Sequence, residues 1–175
     1  VVALATMYVG GEPCTEDTEV LKKARDALLA AKPYWMSMDY GMEEKMAVND
    51  VSASVYWNGA MIRARLKNPD VIYAVPKEGF IEWMDQVMLL SDAQNVEEAY
   101  AFLNFIAAPE NAALISNFAR YSSGISGAKD FMDDVMKVAP ELEIPPELAD
   151  KGRFIPTCGP KAQELYTAIW TELQK

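Results

Sequence analysis

The chain has 175 residues, 51% of them hydrophobic and 24% charged, with a formal net charge of −10 and a sequence pI near 4.5. That length buries a real core, and the acid excess argues against nucleic acid or an anionic membrane surface as partner while suiting cationic ligands. Histidine is absent, which excludes a Ser-His-Asp triad, a Cys-His pair and histidine-ligated zinc within the chain.

The first residues, Val1-Val-Ala-Leu-Ala-Thr-Met-Tyr-Val-Gly10-Gly11, read as the body of a helix ending at a glycine pair. They carry no start signal and no initiator methionine, so residues upstream are expected. Neither a secretory leader pattern nor an apolar run of roughly 18 residues is present. Thr15 to Glu19 offers capping residues ahead of Val20, Leu21, Ala24, Leu28 and Leu29, an amphipathic helix stopped by Lys32-Pro33. Tyr34 to Met38 reads as a short strand or loop, Asp39-Tyr-Gly41 as a turn, and Met42 to Val48 as a short helix.

A strand is predicted over Val51-Ser-Ala-Ser-Val-Tyr-Trp57, a helix over Ala60 to Lys67, and a buried strand over Val71 to Val75, together a βαβ unit. Gly79 separates these from a strand carrying Trp83. Helices follow over Val96 to Ile106, and from Pro109 with Ala113, Leu114 and Phe118 on one face. Pro140 to Pro160 is rich in loops, and a last helix from about Lys161 turns Leu165, Ile169 and Trp170 inward. The order of elements indicates an α/β fold, in which ligands gather at the carboxyl ends of strands.

Trp57 and Trp83 each end a predicted strand, and residues two apart on an extended segment share a face, so Trp83 and Asp85 would present an indole and a carboxylate to one space. An aromatic face beside a carboxylate suits an organic cation: a desolvated ammonium over an indole gains roughly 2 kcal/mol, and the carboxylate adds a charge-assisted hydrogen bond. Core packing of both tryptophans explains the same spacing.

Val55-Tyr-Trp57-Asn-Gly59, Val75-Pro-Lys-Glu-Gly79 followed by Trp83-Met-Asp85, and the helix from Glu98 to Glu110 resemble, in order and spacing, the spermidine/putrescine-binding proteins of bacterial ABC importers. The resemblance covers nearly all of this chain and the C-terminal half or so of a family member. It implies a type 2 periplasmic binding protein-like α/β fold, two lobes closing at a hinge, with most of the first lobe lying upstream of Val1. Residues 1–83 and 128–175 would then belong to the second lobe, and residues 84–127 would complete the first. The implied polyamine contacts are Trp57 and Trp83 as aromatic walls, Asp85 as the carboxylate taking an amine, and Tyr121 as a further ring. The resemblance also implies no catalysis, no cofactor, a periplasmic location, contact with the membrane only through the ABC permease, and a monomer when intact. A glutamine used near the C-terminus by some members has no counterpart in Gly152 to Gly159, which leaves putrescine and spermidine both open. Another small organic cation, an amino acid derivative, or the ligand-sensing domain of a receptor would fit a cleft of the same kind.

The remaining polar groups read more simply. Glu43-Glu44 and Glu97-Glu98 diverge by about 100° on their helices and read as solvated faces. Arg63, Arg65 and Lys67 read as an exposed helix face, and Asp133-Asp134 as a surface turn. Met36, Met38, Met42 and Met46 suit gap-filling core positions. Asp39 and Tyr40 lie in a loop where turn chemistry and ligand contact are equally open. Cys14 and Cys158 match no metal-ligand spacing, and a disulfide and two buried thiols are both compatible with them.

Overall fold

Capping chemistry and side-chain periodicity place the longer helices where the sequence predicts them. The computed structural model describes residues 1–175, in the order α1 (Val2–Tyr8), α2 (Thr18–Ala31), α3 (Met42–Ala47), α4 (Asn58–Lys67), β1 (Phe80–Glu82), α5 (Val96–Ile106), α6 (Pro109–Ala119), α7 (Asp134–Lys137), β2 (Gly152–Phe154) and α8 (Pro160–Leu173). Asp17 caps α2 by accepting the amide hydrogens of Glu19 and Val20 at 2.9 and 3.2 Å, and Pro33 ends it in a 3-10 turn. Proline stands in the first turn of both α6 and α8, where its missing amide hydrogen costs nothing. No helix is long and apolar enough to cross a membrane.

Three expectations are corrected. Val51 to Trp57 and Val71 to Val75 join no sheet, so the predicted βαβ unit is absent; the one sheet is the parallel pair β1-β2. β-propensity makes a segment suited to a ladder but supplies no partner for it. Val71 to Val75 is not buried throughout either, since Val71 faces the core while Ile72 is 83% exposed. On α6 the buried residues are Ala112, Ala113 and Ser116, whereas Leu114 and Phe118 are exposed.

The chain divides into two compact units, one made of Val1–Asp39, Val75–Trp83 and Pro145–Lys175, the other of Tyr40–Ala74 and Met84–Ile144. In the first, α1, α2 and α8 bury Val2, Ala5, Leu21, Ala24, Leu28, Ile169 and Leu173 against one another. Beside them Phe80, Ile81 and Glu82 pair in register with Gly152, Arg153 and Phe154. Gly79 leads into β1 with φ +122°, and a Cβ there would stand 2.7 Å from the Lys151 carbonyl oxygen, so both the backbone angle and the close approach require glycine. The loop before α2 and the loop before α8 are joined by a Cys14–Cys158 disulfide with Cα atoms 5.1 Å apart. Cys14 adopts φ +64°, and its amide donates to the Tyr166 hydroxyl at 3.0 Å.

The second unit is built around α4. Ile62 packs with Ala112, Ala113, Ala128, Met132, Met136 and Ala139, while Ala60, Met61 and Ala64 pack with Val71, flanked by Met46, Tyr56 and Tyr73. Small residues dominate both contacts, so the neighbouring segments approach α4 closely from more than one side. α5 contributes no fully buried residue, and Phe102 and Phe105 are exposed. Of the methionines expected in the core, Met42 is buried and Met46 half-buried, while Met36 and Met38 are exposed.

Candidate ligand-binding site

Side chains from several elements converge on the N-terminal end of α4. Trp57 precedes the helix in an extended conformation, φ −73° and ψ 142°, and its carbonyl accepts the Met61 amide hydrogen at 3.2 Å. No side chain caps the helix from that position. Asn58 instead accepts the Gly59 amide hydrogen through its own Oδ1 at 3.0 Å and donates from Nδ2 to the Glu141 carbonyl at 3.2 Å.

The Trp57 indole, 41% exposed, is held by two tyrosines. Tyr40 stacks on it, centroids 5.7 Å apart and planes 13° apart, and Tyr56 meets it edge-on at 5.0 Å and 66°. Both arrangements suit the aromatic quadrupole. The Gly41 amide donates to the Tyr56 hydroxyl at 3.3 Å, which ties the turn bearing Tyr40 to the same cluster.

Tyr121 reaches the same helix end from the far side of α6. That helix stops at Ala119, and Arg120 turns the chain in the left-handed region at φ +66°. The half-buried Tyr121 ring lies against Gly59, where a Cβ would come within 2.7 Å of both that ring and the Arg120 carbonyl oxygen. Burial pushes the Tyr121 phenol above its ordinary range; the Arg63 charge and a hydrogen bond from the Ala60 amide pull the other way. Burial also raises the phenol of Tyr73.

Arg63 and Arg65 correct the expectation of an exposed basic face. Arg63 donates from Nε to Glu43 at 2.7 Å and from a terminal nitrogen to the Ala119 carbonyl at 2.7 Å, so it braces the corner that carries Tyr121. Lys67 joins Glu43 at 3.8 Å, and Glu43 is therefore half-buried in an ion pair rather than a solvated face. Arg65 clasps the Glu141 carboxylate through Nε and a terminal nitrogen, and Glu141 is only 4% exposed. The carboxylate partners raise both guanidinium pKa values, through hydrogen bonding first and charge second. Together these pairs lock α4 to α3, to the end of α6 and to the turn at Pro140–Leu142.

Of the four residues expected at the site, the structure thus brings Trp57 and Tyr121 to one helix end. Asp85 is exposed on the stretch after β1, in the same compact unit as both. Trp83 directly follows β1, belongs to the first unit and is 45% exposed. Tyr56, Glu43 and Glu141 escaped the reading of the sequence as site-building residues, and Tyr40 was left open between turn chemistry and ligand contact. The Asp, Glu and Cys side chains form no group placed to hold a metal ion. An exposed indole with aromatic neighbours can cover methylenes and attract a cation, whereas the arginines beside it are committed to carboxylates and carbonyls.

Residues 3–143 match the family model described as bacterial extracellular solute-binding protein. The chain is 24% identical over 180 residues to a putrescine/agmatine-binding protein of Pseudomonas aeruginosa and 27% identical over 184 residues to a putrescine-binding periplasmic protein of Escherichia coli, covering 99% of this chain and 49% of each relative. It spans, in other words, about half the length of the curated relatives it matches. A spermidine/putrescine ABC transporter substrate-binding protein of Streptococcus pneumoniae superposes with a TM-score of 0.84 at 23% identity, over 99% of this chain and 54% of that one. The fold is that of the type 2 periplasmic binding proteins, and the chain belongs to the bacterial extracellular solute-binding protein family.

Proposed function

We propose that this chain carries part of the ligand cleft of a periplasmic receptor that binds a polyamine, putrescine or spermidine, and delivers it to an ABC importer without catalysing a reaction. The observation that carries the reading is the partly exposed Trp57 indole at the start of α4, braced by Tyr40 and Tyr56. Beside it stands Tyr121, its ring seated on Gly59. Trp57 covers the methylene chain, Trp83 forms a second aromatic wall, and Asp85 supplies the counter-charge for one ammonium. Three supports lie outside the site: the net charge of −10, the names of the relatives, and a disulfide of the kind that persists in oxidising compartments.

Ligand closes the receptor by binding the closed form more tightly than the open one, and the permease reads the closed form. In this reading residues 1–83 and 128–175 form one lobe and residues 84–127 complete the other. The compact units also part at 83/84 but place 40–74 and 128–144 together with 84–127.

Thermal unfolding of the full-length protein with a panel of solutes tests the assignment. Ligand at about 100 times its Kd stabilises by about 2.7 kcal/mol, a shift of several degrees. Putrescine or spermidine is expected to raise the midpoint, and amino acids and sugars are not. A shift with another solute class and none with polyamines would refute the proposal.

A further inference from the structure

Tyr40 lies outside the packed cores of the chain. The residue is 77% exposed and belongs to none of the hydrophobic clusters, and its ring lies against the Trp57 indole. An exposed aromatic pair of this kind leaves much apolar surface in water, which a bound alkyl chain would remove. The backbone next to Tyr40 is fixed: Gly41 adopts φ +85°, precedes α3 and donates its amide hydrogen to the Tyr56 hydroxyl.

We propose that Tyr40 is a ligand-binding residue that forms with Trp57 an aromatic clamp, in which an alkyl-ammonium chain lies between the two rings with Tyr56 closing one edge. This rests on the polyamine reading above and adds a residue and a geometry to it. The two planes are already near-parallel at 13°. A saturated chain between two rings needs planes about 7 Å apart, two van der Waals contacts of 3.5–4.0 Å. The clamp thus opens by movement of the Tyr40 ring away from the indole, beside Tyr56, whose hydroxyl accepts the Gly41 amide hydrogen. Two ring faces also present two negative quadrupole faces to the ammonium, as in aromatic cages for alkylated amines.

The test is calorimetric titration of the full-length protein and its Y40A and Y40F variants with putrescine and spermidine, alongside urea unfolding of each. Y40A is expected to weaken amine binding about 10-fold, the loss of one cation–π wall, with Y40F losing no more than about 3-fold because the ring remains. The unfolding midpoint of Y40A should match that of the wild type, since the ring is exposed. Unchanged or tighter amine binding by Y40A would show that Tyr40 only shields the indole, and would overturn the clamp while leaving the polyamine reading intact. Weakened binding accompanied by an equal loss of stability, with Y40F failing alike, would assign Tyr40 a structural role and overturn the clamp too. No amine binding by the wild type would overturn the polyamine reading and the clamp together.

Discussion

Removing the Cys14–Cys158 bridge by the double substitution Cys14→Ser and Cys158→Ser should be among the most destabilising changes the first unit can suffer. The cysteines are 144 residues apart in sequence, so the bond restricts a large loop of the unfolded chain. The chain-entropy relation gives about 5 kcal/mol for a loop of that length, and residual structure in the unfolded chain brings the expected loss to about 3–5 kcal/mol. That is a large share of a typical domain's 5–15 kcal/mol. The apolar core of this unit is modest, with two of its seven central residues alanines. Urea unfolding followed by far-UV circular dichroism would measure it, for the variant and for wild type with and without a phosphine reductant. With a slope near 2 kcal/mol/M, the midpoint should fall by about 2 M in both. A shift below about 0.3 M would refute the reasoning, because the bridge would then restrain little of the unfolded ensemble.

Three further outcomes follow from the second unit. Gly59→Ala forces a Cβ to 2.7 Å from the Tyr121 ring and the Arg120 carbonyl, so a loss of about 1–3 kcal/mol is expected in chemical unfolding. Glu141→Gln deprives Arg65 of its buried carboxylate, with an expected cost of about 2 kcal/mol by the same assay, partly relieved because the guanidinium reaches water. The Tyr121 phenol titrates above its ordinary pKa of 10.0 because it is buried. The folded state therefore holds this proton after the unfolded state has released it, and stability falls as pH rises from the unfolded value through the folded one. Tyr121→Phe should flatten that part of the stability profile, and an unchanged slope above pH 10 would contradict the assignment.

Helices were legible in the sequence where local chemistry decides them. Asp17 and Pro33 bracket α2, and Pro109 and Pro160 open α6 and α8, each by a mechanism confined to one turn of chain. Strands were less so, because Val51 to Trp57 and Val71 to Val75 have the composition of a ladder and no partner strand here. The face of α6 was misread for a different reason. Leu114 and Phe118 are the larger hydrophobics, but the close packing around Ile62 admits Ala112 and Ala113 instead. Arg63 and Arg65 looked solvated since their partners, Glu43 and Glu141, lie 20 and 76 residues away. The same distance problem hid the disulfide and the stacking of Tyr40 on Trp57. At the candidate site, Trp57 was singled out from its place at a strand end and Tyr121 only through the family resemblance, whereas the glycine, left-handed arginine and ion pairs that seat Tyr121 were not visible.

The central claim is that the receptor recognises an organic cation through rings and a carboxylate. Calorimetric titration of the full-length protein and its Asp85→Asn variant with putrescine, spermidine and the uncharged isostere 1,4-butanediol tests it most directly. Wild type should bind at least one amine and not the diol, and Asp85→Asn should weaken that amine about 30-fold or more, the loss of a charge-assisted hydrogen bond. Binding of the diol as tightly as the amine, or amine affinity untouched in Asp85→Asn, would contradict the account.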